Sequence, residues 1–314
     1  MTTIFGVDHS PWTQAVMLAH ADRGIAAQLQ PYPSPNYFFK SGLVMPVCWD
    51  ANGQETADSL FIIQALMSDT EVYTQASLEA DFTELEALFL TYALDRIGPG
   101  RRRTFIRGWA GMTDKPMTPI SIALRALLCW HFFVLLSAGR AALNTSRQSR
   151  SPEAHLNHRL TAWNDRLEET PFLGGDAPSA SDYGLLGHME CMSSGLTDWA
   201  IPVVAEHPEI LAWLQRMHAR LTHHDTLYSR RILDAEAGPA GAGLIARAWF
   251  ALWVVLWLAV FPLSLAIIGF ALLQRIGADN RTGGRLERSM GRRAQPRSQT
   301  RRALFLSFSL TSME

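Results

Sequence analysis

Charge is scarce in this chain of 314 residues: Asp, Glu, Lys and Arg make up 18% of it, and the formal net charge is −1. That balance excludes the broadly basic surface of a general nucleic-acid binder. Cysteine is scarcer still. Cys48, Cys129 and Cys191 lie far apart, without the paired spacing of a disulfide framework or a metal site, and read as thiols in a reducing compartment. His155 and His158 stand one helical turn apart with no further ligand in pattern, so no metal is expected. The amino end lacks a basic stretch followed by a long apolar core, so no cleaved signal peptide is expected. No internal repeat is visible. What the chain has is a hydrophobic content of 48%, enough for a sizeable core, and an uneven distribution of charge. From Arg275 to Arg302 it carries nine arginines against two acids, Asp279 and Glu287.

The first 73 residues mix short apolar strands with helices. Thr3–Val7 is a strand. "SPWTQAVMLAHADRGI" is a helix that Ser10 caps, with Pro11 in its first turn and Gly24 as a stop. "AAQLQPY" is a second, weaker strand. "VMPVCW", Val44–Trp49, is apolar throughout but holds Pro46, which has no N–H for a ladder. The Asn52-Gly53 pair turns a hairpin into "ETADS", and Asp58 opens a helix with Leu60, Ile63 and Leu66 at helical spacing. The order is β-α-β, a connection, then β-β-α. Residues 74–234 show helical patterns alone. "DFTELEALFLTYALDRI" has period 3.6, and the run from Pro119 to Ala138 is apolar nearly all round and reads as core, although it holds Arg125. "SASD", Ser179–Asp182, has the Ser-x-x-acid spacing of a capping box. Residues 235–247 form a linker by composition. Residues 248–273 contain no charge, and 274–314 form the arginine-rich tail.

The β-α-β, β-β-α order matches a thioredoxin-like half. There, a cis-proline ahead of the third strand leaves the preceding residue's N–H and C=O free for an extended peptide-like ligand. Pro46 and Met45 answer that description. Three motifs extend the likeness. "HSPWTQAV" resembles the first motif of the glutathione transferases, with Ser10 where the family sets a Ser, Cys or Tyr. "NGQETADS" resembles the family's DG-x-x-I-x-[ED]-S. "FLGGDAPSASDYGLLGHM" resembles its helical-domain motif, at about the family's spacing. The resemblance covers residues 2–233. It implies an α+β thioredoxin-like glutathione-binding domain over residues 1–73, an all-α domain over 74–234, glutathione as co-substrate and a homodimer.

The chemistry of these positions follows from their types. Asp58 and Ser59 open a helix, where bare N–H groups and the dipole favour an anion. The resemblance implies that they clasp the γ-glutamyl end of glutathione. A hydroxyl at Ser10 can donate to a thiolate, which lowers the pKa of a thiol from about 8.5 and raises the reactive fraction. Met45 and Pro46 are expected to take the cysteinyl backbone, and Lys40 the glycyl carboxylate. His9 is a candidate helper or a plain strand-end residue. Thr13 fills the second position of a C-x-x-C spacing whose first is Ser10, so dithiol chemistry is excluded there. The chain departs from the family in lacking the basic pair that often follows the first motif, having Gln14 and Ala15 instead. It also departs in an insertion around residues 98–118.

The uncharged run, 26 residues over 248–273, gives roughly 39 Å of helix at 1.5 Å per residue, against a hydrocarbon thickness of about 30 Å. It is expected to span or embed in a membrane, with lipid as a partner and the transferase-like part in the cytoplasm. Trp249, Trp253 and Trp257 form a stripe at its entry side, and Pro262 falls near its middle. The function that the resemblance implies is addition of glutathione thiolate to an apolar electrophile. The rival is a non-catalytic adaptor of the same fold at a membrane.

Overall fold

The computed structural model describes residues 1–30, 45–67, 75–98, 100–111, most of 122–137, 151–224, 227–234 and 244–259, with single positions out to Phe270. The whole connection 31–44, Lys40 included, and the arginine-rich tail lie outside the described residues. Two compact units are present. One comprises Met1–Tyr32 with Met45–Ala259, and the other Pro33–Val44 with Val260–Glu314.

The first unit opens with β1 (Thr2–Phe5), α1 (Pro11–Asp22), β2 (Ala27–Gln30), β3 (Val47–Trp49), β4 (Glu55–Ala57) and α2 (Ser59–Leu66). The four strands form one sheet in the order β2-β1-β3-β4. β2 is parallel to β1, as a crossover through a helix requires, whereas β3 and β4 run antiparallel as a hairpin. This mixed sheet is the thioredoxin-like arrangement expected from the sequence. Asp50 accepts N–H bonds from Asn52 and Gln54, both at 2.8 Å, and so shapes the hairpin turn at Gly53. β3 begins at Val47, one residue after Pro46, so the proline precedes the ladder and costs it no hydrogen bond.

Helices complete the unit: α3 (Gln75–Ala93), a 3₁₀ turn (Leu94–Ile97), α4 (Arg102–Gly111), helical residues within 122–137, α5 (Pro152–Glu169), α6 (Ala180–Ser193), α7 (Ala200–Ala205), α8 (Pro208–Arg220), α9 (Arg230–Leu233) and α10 (Leu244–Ala259). Helix α6 is buried along its whole length and is the spine on which α1 and α3 pack. A side chain at Gly187 would place its Cβ 2.2 Å from the Pro11 carbonyl oxygen and 2.8 Å from the Ala15 nitrogen. Glycine is required there because the backbones of α6 and α1 touch. The insertion after Gly98 contributes α4, whose Phe105 and Trp109 are buried.

The capping box at Ser179 is built as the sequence predicts, and Asp182 extends it. Its buried carboxylate accepts the N–H of Ser179 at 2.7 Å and its hydroxyl at 2.8 Å, the N–H groups of Leu173 at 2.9 Å and Gly174 at 3.1 Å, and Trp213 Nε1–H at 2.8 Å. Burial still pushes its pKa upward against these five donors.

The described residues lend no support to the expected membrane-spanning helix, and most of 260–273 lies outside them. No helix among the described residues is long and apolar enough to cross a membrane. The described part of α10 runs from Leu244, within the stretch that composition assigns to the linker, to Ala259. One of its faces packs into the core of the first unit through Phe250, Trp253, Val254 and Trp257. The tryptophan stripe is therefore divided: Trp253 and Trp257 are packing residues, and Trp249 is exposed.

Candidate functional site

Strand register gathers the sequence-predicted residues at one end of the sheet. Phe5, the last residue of β1, pairs with Val47, the first of β3, and Val47 pairs with Ala57, the last of β4. The chain leaving β1 toward Ser10, the Met45-Pro46 pair entering β3 and the Asp58-Ser59 pair leaving β4 are thus neighbours. The Met45-Pro46 peptide is cis, as expected. Asp58 N–H donates to the Pro46 carbonyl at 3.3 Å, which closes the β4 side of this corner. Among the described residues no backbone group bonds to the N–H or C=O of Met45.

Asp58 has φ 79 and ψ 127, the one positive φ outside glycine among the described residues. Such a conformation costs about 1–3 kcal/mol, and residues held this way cluster at ligand sites. Its carboxylate accepts the Leu60 N–H at 3.0 Å and so caps α2. Ser59, buried, is the first residue of α2. The main chain therefore turns at Asp58 to present the start of α2 to the same corner as Met45.

Ser10 caps α1 with extended backbone, φ −82 and ψ 126, and its Oγ accepts the Thr13 N–H at 3.5 Å. At that length the cap bond is weak. The hydroxyl proton is not consumed by it, so Ser10 remains able to donate. Helix α6 fixes the loop that carries Ser10. Cys191 Sγ–H donates to the His9 carbonyl at 2.8 Å, and Tyr183 hydroxyl donates to Asp22 at the far end of α1.

Ser10 also lines a cavity of about 40 Å³ with Val7, His9, Phe89, Arg96, Trp109 and others. Its wall is mainly apolar and aromatic, supplied by α3, α4 and the helical residues Phe132 and Leu136.

Behind Ser10 sits a buried polar cluster. Asp8 forms an ion pair with Arg125 and accepts His9 Nδ1–H at 3.1 Å. Burial works to raise the Asp8 pKa, but the Arg125 guanidinium and the His9 N–H together hold it below the usual carboxylate range. Burial drives the His9 pKa down to about 4, with Asp8 opposing, so the ring is neutral at neutral pH. Because Nδ1 donates to a carboxylate, Nε2 carries a bare lone pair, and it has no partner among the described residues. Arg96 is locked elsewhere, donating from Nε to Thr197 Oγ1 at 2.7 Å and from Nη2 to Cys191. The Asp8–Arg125 pair was not foreseen from the sequence. Its signal was a lone arginine in an apolar helical run, which needs a buried acid to balance it.

Of the residues that sequence reasoning selected, Ser10, Met45, Pro46, Asp58 and Ser59 come together at one corner, and Lys40 lies outside the described residues. No group of three or more His, Cys, Asp or Glu able to hold a metal occurs among the described residues.

No protein-family model matches the chain. No curated protein matches it either. Among solved structures, glutathione transferase F2 from Populus trichocarpa aligns with a TM-score of 0.43 and 12% identity, over 75% of this chain and 98% of that one. A glutathione S-transferase from Pseudomonas fluorescens aligns at 0.39 and 18% identity, over 68% and 93%. One from Xanthobacter autotrophicus Py2 aligns at 0.42 and 17%, over 70% and 93%. At these scores the alignments add nothing to the geometry above. The fold is a mixed four-stranded sheet followed by helices, with Ser10, Met45, Pro46, Asp58 and Ser59 gathered at one end of the sheet.

Proposed function

We propose that the chain binds glutathione at this corner and adds its thiolate to an apolar electrophile. The observation that carries the reading is the strand register, which sets the Met45 main chain beside two helix starts, at Ser10 and at Asp58-Ser59.

Each residue has a distinct part. The Met45 N–H and C=O pair with the cysteinyl main chain as one more extended segment on the sheet end. The Ser59 hydroxyl and N–H take the γ-glutamyl α-carboxylate, favoured by the α2 dipole. The Asp58 carboxylate faces the adjacent α-amino group, and Lys40 is assigned the glycyl carboxylate. This places the thiol toward Ser10. There, a hydroxyl donor and the positive end of α1 stabilise sulfur as thiolate once its proton has left to solvent. The thiolate sulfur then forms a carbon–sulfur bond as the electrophile's leaving group departs with its bonding pair or, at an activated double bond, as the π pair moves away and the resulting anion takes a proton from solvent. No metal enters the chemistry proposed.

A binding-only adaptor is the second reading, and one observation favours it. The cavity beside Ser10, at about 40 Å³, is far smaller than the roughly 150 Å³ that admits benzene. A second substrate would have to enter from outside it.

Retention on immobilised glutathione tests the shared part. The wild-type chain is expected to be retained and eluted by free glutathione, and Ser59→Ala to pass through. Failure of the wild type to be retained contradicts both readings. A conjugation assay then separates them: activity that Ser10→Ala removes without loss of retention supports catalysis, and retention without conjugation supports the adaptor.

A further inference from the structure

We infer that the outer face of α10 is a lipid-binding surface that seats the first unit on an anionic bilayer, with the helix lying in the interface and not crossing it.

Helix α10 has two unlike faces. Phe250, 2% exposed, together with Trp253, Val254 and Trp257, packs into the core, and Trp257 Nε1–H donates to the Ala123 carbonyl at 2.9 Å. At 100° per residue the opposite half of the perimeter carries Ile245, Ala248, Trp249, Leu252, Val255 and Leu256. All of these are exposed, from 43% at Leu256 to 76% at Ile245. A helix face turned to water is ordinarily polar. This face has no polar side chain, since Arg247, the helix's one charged residue, lies on the flank. An apolar surface of this kind marks a docking site.

The sequence indicates which partner covers it. Beyond α10 the chain runs without a charge to Leu273 and then carries nine arginines against two acids between Arg275 and Arg302. An anionic headgroup layer above a hydrocarbon layer complements both features at once. A second copy of the chain could cover the apolar face but offers no excess of negative charge to match the arginines, its own net charge being −1 with the same arginine-rich tail.

The helix geometry sets the orientation. A spanning helix would have to surrender the packing of Phe250, Trp253 and Trp257 against the first unit. Lying flat, α10 keeps that packing and buries its outer face. It then rests on α4 and on residues within 122–137, the elements that line the cavity beside Ser10 with Phe105, Trp109, Phe132 and Leu136. One layer of helix separates lipid from that cavity. Delivery of an apolar electrophile by this path rests on the transferase reading; the lipid surface itself does not.

The test uses the full chain with vesicles of phosphatidylcholine, or of phosphatidylcholine with phosphatidylglycerol, and lipids brominated near the headgroup or near the chain end. The wild type is expected to sediment with anionic vesicles at least tenfold more strongly than with neutral ones. Leu252→Glu with Val255→Glu should lower that binding at least tenfold while leaving the thermal melt unchanged. Trp249→Phe should abolish most of the quenching by shallow bromines, and Trp253→Phe should leave it intact. Absence of vesicle binding overturns the inference, as does binding indifferent to the double variant. Quenching of Trp253 and Trp257 by deep bromines also overturns it, in favour of a spanning helix. Self-association that the double variant removes, without lipid binding, assigns the face to a second copy. None of these readouts involves glutathione, so the inference and the proposed function fail independently.

Discussion

Two serines open buried helices in this molecule, and their surroundings differ. At Ser179 every bonding capacity is filled: Asp182 collects five donors, and the chain before α6, the start of α6 and Trp213 of α8 are tied to one carboxylate. At Ser10 the cap bond is long, at 3.5 Å, and the nearby Met45 backbone groups bond to no described backbone group. The first arrangement is what a fold needs, because an unpaired buried polar group is costly. The second leaves capacity unused at a corner where three chain segments meet. Saturated polar clusters hold the structure, and unsaturated ones mark where a ligand completes it.

Substitutions can break that contrast from either side. The largest effect belongs to Asp182→Ala, which strands several buried donors at once and should cost about 4 kcal/mol of unfolding free energy. Chemical denaturation measures it, and glutathione binding under native conditions should survive in the folded fraction. A loss below about 1 kcal/mol would mean that the saturated cap is dispensable.

Next comes Glu190, a buried carboxylate on α6 that accepts the Tyr228 N–H at 2.6 Å and the Ser229 N–H at 3.3 Å. Burial pushes its pKa from 4.5 up to about 7, against those bonds. The folded chain thus holds the proton more tightly than the unfolded chain does. The associated stability is fully present below about pH 4.5 and is lost as pH rises through about 7. The wild type should therefore lose about 3 kcal/mol relative to Glu190→Gln between pH 4.5 and 8. Parallel stability curves for the two proteins would remove Glu190 as the cause.

Smaller effects lie at the Ser10 corner. Ser10→Ala removes one charge-assisted hydrogen bond to sulfur, worth about 1.5–3 kcal/mol. The thiolate absorbance of bound glutathione at neutral pH should fall at least tenfold, with thermal stability changed by under about 1 kcal/mol. An unchanged thiolate fraction would reduce Ser10 to an ordinary cap. The smallest net effect is that of Asp58→Gly. Relief of the positive φ, about 1–3 kcal/mol, offsets loss of the cap bond, about 0.5–2 kcal/mol. The melt should barely move while retention on glutathione weakens.

The β-α-β, β-β-α succession and the hairpin were legible in sequence because they rest on local signals: Pro46 ahead of an apolar run, Asn52-Gly53 in the turn, and Ser10-Pro11 at a helix start. The Ser179–Asp182 box was legible as a cap, but Trp213 as its fifth donor was not, because that bond joins residues 31 positions apart in sequence. The Asp8–Arg125 pair escaped for the same reason, at a separation of 117. What the first part of the stretch 248–273 faces was not legible, because hydropathy counts apolar residues without saying what they pack against. Phe250, Trp253 and Trp257 face protein.

The central claim is that the corner formed by Met45, Ser59 and Ser10 is completed by glutathione. Amide ¹H–¹⁵N shifts recorded during a glutathione titration test it most directly. The account predicts that the largest changes fall at Met45, Ser59 and the start of α1, that Leu173, Gly174 and Ser179 stay still, and that Ser59→Ala abolishes the response. A titration that leaves Met45 and Ser59 unmoved, or that shifts the saturated cap in their place, would contradict it.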